Sequence, residues 1–131
     1  MNNRTMPTLE LTGPPFSGFA VDDMEAARAF YADTLGLTVE TGEMGMLHLR
    51  VSDAVEILIY PRERHEPAPY TILNFPVADI DAAVDALTAE GVVFQQYPDM
   101  GTDEKGIFRH GGPLIAWFTD PSGNILSVLQ A

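Results

Sequence analysis

The segment Phe19-Ala20-Val21-Asp22-Asp23-Met24-Glu25-Ala26-Ala27 returns as Phe75-Pro76-Val77-Ala78-Asp79-Ile80-Asp81-Ala82-Ala83. Phe, Val, Asp and both alanines recur at a constant offset of 56 residues. Two copies are too few for a solenoid, whose stacked repeats bury a continuous core only when three or more are present. The chain therefore reads as a pseudo-twofold pair of modules. Each copy runs from a short apolar strand into an aspartate that caps a helix, because a carboxylate satisfies the free N–H groups of the first turn. Asp22 or Asp23 serves the first helix, with Glu25 favourable to its dipole, and Asp79 serves the second. Met24, Ala27, Phe30, Tyr31 and Leu35 stripe the first helix, which Gly36 ends. Ile80, Ala83, Val84 and Leu87 stripe the second, ended by Gly91.

After the first helix come three strand-like runs, 37–41, 44–51 and 55–60. Leu47, Leu49 and Val51 alternate with Met46, His48 and Arg50, and Val55, Ile57 and Ile59 alternate with Glu56, Leu58 and Tyr60. A three-residue loop at 52–54 sets a register that pairs Val51 with Val55, Leu49 with Ile57 and Leu47 with Ile59 on an aliphatic face. The opposite face pairs Arg50 with Glu56, His48 with Leu58 and Met46 with Tyr60. In the second module, 92–95 reads as the start of the meander and 97–113 as a long loop. Residues 114–119 then enter a hairpin whose turn is Asp120-Pro121-Ser122-Gly123, where Pro121 presets φ and Gly123 accepts a positive one. The expected fold is α+β, with two tandem βαβββ modules.

The 131 residues, 46% hydrophobic, suit one domain that buries roughly two thirds of its unfolded surface. The expected organisation is a leader over 1–15 and a domain over 16–131, divided into module one (16–60), a Pro-rich connector (61–69) and module two (70–131). The 7 Lys+Arg against 19 Asp+Glu, a formal net charge of −12, exclude a nucleic-acid partner and disfavour an anionic membrane. Zero cysteines exclude disulfides and thiolate metal sites, and residues 1–15 hold no apolar run of signal-peptide length, so a cytoplasmic location is expected.

Two further motifs add a resemblance. Phe30-Tyr31-Ala32-Asp33-Thr34-Leu35-Gly36-Leu37 and Asp120-Pro121-Ser122-Gly123-Asn124, together with the repeat, resemble the vicinal oxygen chelate superfamily of glyoxalase I, extradiol dioxygenases, and fosfomycin and bleomycin resistance proteins. The resemblance implies a curved, cup-shaped mixed sheet with helices outside, and usually a second subunit covering the sheet edges, hence a homodimer. In metal-dependent members the first strand of each module supplies His or Gln and the last strand Glu. Those slots match Phe16, Ile72, Glu56 and Ser127, of which only Glu56 is a strong donor. The expectation is therefore no metal and no cofactor.

Alternation places Phe16, Gly18, Met46, His48, Arg50 and Glu56 on the lining of the cup, with Leu58 and Tyr60. From the second module come Tyr70, Ile72, Asn74, Ser127 and Trp117. Such a lining suits a small aromatic or amphipathic organic molecule held by stacking and a few hydrogen bonds; filling of a concave face is the plain structural reading. Glu56 opposite Arg50 is either a cross-strand ion pair or a general base, and His48 either structural or catalytic. His65 and His110 read as solvated. A metal centre from His48, Glu56 and His110 would have no spacing to fix it. The charged run 103–109 reads either as a lid over the cup or as a flexible loop. The expected function is sequestration of a small organic molecule, as in bleomycin resistance; the alternative is a metal-independent lyase or isomerase with His48 or Glu56 as base.

Overall fold

The computed structural model describes residues 8–131. The expected leader over 1–15 thus lies partly outside the described residues, and residues 8–15 are exposed chain with neither helix nor strand. Each half of the molecule runs strand, helix, three strands. The first half holds β1 (Ser17–Val21), α1 (Met24–Ala29), β2 (Thr38–Thr41), β3 (Leu47–Ser52) and β4 (Val55–Pro61). The second holds β5 (Thr71–Pro76), α2 (Ile80–Ala89), β6 (Ile107–Phe108), β7 (Leu114–Thr119) and β8 (Ile125–Gln130). The α+β fold of two tandem βαβββ modules holds. Each module closes a four-stranded mixed sheet, in the orders β1-β4-β3-β2 and β5-β8-β7-β6, with its first strand parallel to its last. A parallel pair requires a crossover, which the helix and the strands after it supply.

The repeated aspartates do the same job twice. Asp23 and Asp79 sit in extended backbone, and each carboxylate accepts the N–H three residues on, from Ala26 at 3.0 Å and Ala82 at 3.1 Å. Asp22 instead accepts the hydroxyl of Ser122 at 2.7 Å, a link to the terminal hairpin. The first helix departs from the expected regular run to Leu35. After Ala29 it widens into a π-helical turn over Phe30–Thr34, where the Leu35 N–H reaches the Phe30 carbonyl at 2.9 Å. The wider turn gives adjacent aromatics separate partners. Phe30 lies 6.3 Å from Phe118 of the second sheet, whereas Tyr31 is wholly buried 5.8 Å from Phe19 of the first.

Leu47, Leu49, Ile57 and Ile59 from one sheet and Ala116, Phe118, Leu126 and Val128 from the other join Ile80 and Val84 of α2 in one buried cluster. The covered faces of the two sheets therefore share a core, and each sheet keeps an opposite, open face. The register of β3 and β4 follows the expectation for Leu47 with Ile59, His48 with Leu58, Leu49 with Ile57 and Arg50 with Glu56. It shifts at the turn, where Ser52 rather than Val51 faces Val55. Such a bulge lets a short connection close without forcing the last pair flat.

Three local expectations are corrected. The run from residue 44 becomes a strand only at Leu47, because 43–45 forms a 3-10 turn in which Met44 takes φ 61°. Met46 caps that turn and stays outside the ladder, so it does not pair with Tyr60. The stretch 92–95 buries Val92 and Phe94 and exposes Val93, a strand-like pattern, yet only the Gln95 N–H bonds to β7, at the Trp117 carbonyl. The ladder position beside β7 belongs to β6. Finally, His65 is half-buried: Asn124 spends its amide hydrogens on Ala20 and Asp120, so its Oδ1 accepts from His65 Nε2 at 3.0 Å. This bond holds the connector against the hairpin turn.

Candidate functional site

The open face of the first sheet is the non-aliphatic half of the alternation. Leu47, Leu49, Ile57 and Ile59 point into the core, so His48, Arg50, Glu56 and Leu58 must point the other way. Gly18 lies beside Leu58 on the same face, and Phe16, 67% exposed, continues it just before β1. Tyr60 closes the far end of β4 and is exposed, while Met46 is half-buried beside β3.

Four charged or titratable groups meet on that face. Arg50 donates from Nε to Glu40 Oε1 at 3.1 Å and lies 3.5 Å from Glu56 Oε1 through Nη2. His48 Nδ1 is 3.3 Å from the same Glu56 oxygen. These side chains are between 34% and 56% exposed, so each pair adds at most about 1 kcal/mol and chiefly orients the groups. Glu56 is thus the cross-strand ion-pair partner of Arg50, with His48 as a second neighbour. The His48 ring lies over Gly42, where an added Cβ would sit 2.4 Å from Nε2.

On the second sheet, Asn74, Ser127 and Trp117 stand abreast on three neighbouring strands. Ser127 is fully buried and donates its hydroxyl to Asn74 Oδ1 at 2.5 Å. Trp117 packs edge-on against Tyr97, 5.4 Å between centroids, and lies 6.5 Å from Phe108. Phe108 in turn meets the ring of His110, whose Nε2 donates to the Gly101 carbonyl at 2.9 Å. Tyr97 and Phe108 were not among the residues expected from alternation. They lie in the Gly- and Pro-rich stretch where no periodicity could assign a face, and their aromatic character was the sole signal. Tyr70 is 66% exposed just before β5, and Ile72 is half-buried.

The charged run after residue 102 is held by α2. Asp103 Oδ1 accepts the N–H groups of Lys105 and Ile107, and its Oδ2 accepts Arg109 Nε at 2.9 Å. Arg109 Nη2 then donates to Asp81 at 2.7 Å, and Lys105 Nζ lies 3.0 Å from Asp85. The hydrogen bond from Arg109 holds the Asp81 carboxyl below its ordinary range. For Asp103, burial opposes ionisation, but the bonds from Ile107, Arg109 and Lys105 outweigh it and the net shift is downward.

A cleft of about 390 Å³ opens where the start of β1, the β3–β4 turn and β5 converge. It brings Phe16, Glu56 and Ile72 together, whereas His48, Trp117 and Ser127 do not line it.

A model of the Glyoxalase/Bleomycin resistance protein/Dioxygenase superfamily matches residues 14–128. The chain belongs to this superfamily. Among solved structures, it is similar to TnmS3, an antibiotic binding protein from Streptomyces sp. CB03234, with 22% identity, a TM-score of 0.65, and 92% of this chain and 98% of that one covered. A superfamily member from Sphaerobacter thermophilus gives 22% identity, a TM-score of 0.64, and coverage of 92% and 100%. UcmS2 gives 25% identity, a TM-score of 0.67, and coverage of 87% and 94%. At these identities the likeness speaks for the fold. No curated protein matches the sequence.

The superfamily's divalent metal does not fit the residues present. At the positions that the resemblance assigns to metal ligands, Phe16 and Ile72 lack donor atoms, and the Ser127 hydroxyl is buried against Asn74. Glu56 alone offers a carboxylate, already shared between Arg50 and His48. Among the described residues no group of three His, Cys, Asp or Glu converges as a metal site, and His110 bonds the Gly101 carbonyl rather than joining His48 and Glu56. A transition metal needs several N or O donors to compensate for the desolvation of the ion. No helix among the described residues is long and apolar enough to cross a membrane.

Proposed function

We propose that the chain binds a small aromatic or amphipathic organic molecule at a metal-free site on its open sheet faces, and acts by sequestration. The observation that carries this reading is the aromatic platform of Trp117, Tyr97 and Phe108 beside the Asn74–Ser127 pair, in a superfamily member with one carboxylate, Glu56, among its expected metal positions. Stacking on such a platform suits a planar ring, and the Asn74 amide supplies directional hydrogen bonds. One neighbour of the same fold is named as an antibiotic binding protein, in keeping with this reading.

A second copy completes the site. The covered faces of the two sheets share one core, so their open faces turn outward, and enclosing a ligand between two such faces calls for the other face to come from a partner. The homodimer would also cover the sheet edges, which otherwise invite non-specific pairing. The working place of such a binder is the cytoplasm.

The reading of His48 as general base is weaker, because Nδ1 is turned to Glu56 and His48 does not line the cleft. Native mass spectrometry of the purified protein against a library of aromatic natural products tests the proposal. Retention of an unaltered ligand, weakened about tenfold or more in Trp117→Ala, is the expected result. Conversion of the retained compound, abolished in His48→Ala, would replace the binder reading with the enzymatic one.

A further inference from the structure

The cleft at the convergence of β1 and β5 has walls of Phe16, Phe19, Ile57, Ile72 and Leu73, with Pro14 and Pro15 along one side. Its volume of about 390 Å³ falls within the range of small-ligand pockets. Glu56 is the single ionisable residue among those that line it. The carboxylate is held through one oxygen: Oε1 meets both His48 Nδ1 and Arg50 Nη2, while Oε2 has no partner among the described residues. Both neighbours are themselves braced, Arg50 by Glu40 and the His48 ring by Gly42. One guanidinium is therefore divided between two carboxylates, and negative charge remains on a carboxylate whose residue lines an apolar cleft.

We propose that this cleft takes an organic cation, a primary or secondary ammonium on an apolar body, whose N–H is donated to Glu56 Oε2. The inference rests on the small-molecule-binding reading and names the ligand class. The body of such a molecule would lie along the aliphatic walls, and the faces of Phe16 and Phe19 attract a cation as well as hydrocarbon. A charge-assisted bond is about twice as strong as a neutral one, so an ammonium gains more at Oε2 than an alcohol does. A carboxylate would meet like charge. The net charge of −12 raises the local concentration of cations around the whole molecule.

Phenylbutylamine, phenylbutanol and phenylbutanoate share one hydrocarbon body and differ in the charge of the head. NMR titration of the full chain is expected to rank them amine, alcohol, carboxylate, with the amine at least about tenfold tighter than the alcohol. Amide shifts should cluster at Ser17, Glu56 and Ile72, and the amine's advantage should shrink as salt rises from about 0.05 M to about 0.5 M. Glu56→Gln should bring the amine down to the affinity of the alcohol. Ser17→Lys, a change at an exposed strand position, should weaken the amine by supplying a competing ammonium. Equal binding of the three probes, shifts elsewhere, persistence of the preference in Glu56→Gln, or no binding of the amine at millimolar concentration would each overturn the proposal. If the amine fails while a neutral aromatic is still retained in a Trp117-dependent manner, the cation assignment falls and the sequestration reading stands.

Discussion

Tyr31 donates its phenol hydrogen to Asp120 Oδ2 across 2.8 Å, joining the first module to the terminal hairpin of the second, with both side chains buried. Asp120 also accepts the N–H groups of Ser122 and Asn124 on Oδ1 and the Asn124 amide on Oδ2. The turn that closes the last hairpin is therefore also a joint between modules. Tyr31→Phe should cost about 1–2 kcal/mol, and Asp120→Ala about 3 kcal/mol or more because several buried donors lose their acceptor together. Urea unfolding monitored by Trp117 fluorescence measures both. Equal, negligible losses would show that the bond does not couple the modules.

The same bond has an alkaline signature. Burial first, then the charge of Asp120 and its hydrogen bond, push the Tyr31 phenol well above its ordinary range. A folded-state value above the unfolded one means that the contribution is whole below about pH 10 and is lost as the pH rises beyond it. Wild-type stability should therefore fall above about pH 10 more steeply than that of Tyr31→Phe. Parallel curves for the two proteins would contradict the assignment.

The α2 network should yield to acid. Asp81 and Asp103 both titrate below the ordinary carboxylate range, so their contribution is present above about pH 4 and disappears as the pH falls through the lower folded-state values. Hydrogen exchange at the amides of Lys105 and Ile107 should be protected from neutral pH down to about pH 4, and that protection should be lost as the pH falls further. In Asp103→Asn the change should be largely absent. A loss of protection in Asp103→Asn as steep as that in wild type would place the hold on this segment elsewhere.

Gly42 is a steric requirement of His48 rather than of the backbone, since its φ of −99° is open to any residue. Gly42→Ala should push the imidazole out of its place and away from Glu56, at a cost of about 1 kcal/mol. In a His48→Ala background the same substitution should be nearly neutral. An additive double-mutant cycle would mean that the two residues do not touch in solution.

Chelation should leave the protein unmoved. With Phe16 and Ile72 lacking donors and Ser127 committed to Asn74, incubation with EDTA should shift Tm by less than about 1 °C, because no folding energy is lodged in a metal. Elemental analysis after chelator-free purification is expected to find no stoichiometric transition metal. One zinc, nickel or iron per chain, lost together with thermal stability, would return metal chemistry to this site.

The composite site predicts complementation. Light scattering should give a dimer at micromolar concentration, and mixing Glu56→Gln protein with Trp117→Ala protein should restore one intact ligand site per mixed dimer, made of the wild-type faces. A monomer, or a mixture that binds no better than either parent, would argue against a site shared between copies.

Sequence alone determined the two modules, the Asp79 cap and the faces, while the choice between Asp22 and Asp23 fell to the structure. The repeat aligned Asp23 with Asp79, and a strand's period of two separated Leu47, Leu49, Ile57 and Ile59 from His48, Arg50 and Glu56, because successive side chains must point to opposite sides. Tertiary structure decided whatever depended on contacts between distant residues. Asp120 reads locally as a turn residue, and only the packing of the two modules makes it the acceptor for Tyr31. Tyr97 and Phe108 lie in a loop without periodicity, so their place beside Trp117 is set by where β6 docks and by the hold of α2 on Lys105 and Arg109. The π-helical turn has the same origin: no helical pattern marks it, and it lets Phe30 and Tyr31 each meet its own partner in the core. Local periodicity carries direction along one strand or helix, but which elements meet is chosen by burial summed over the whole chain.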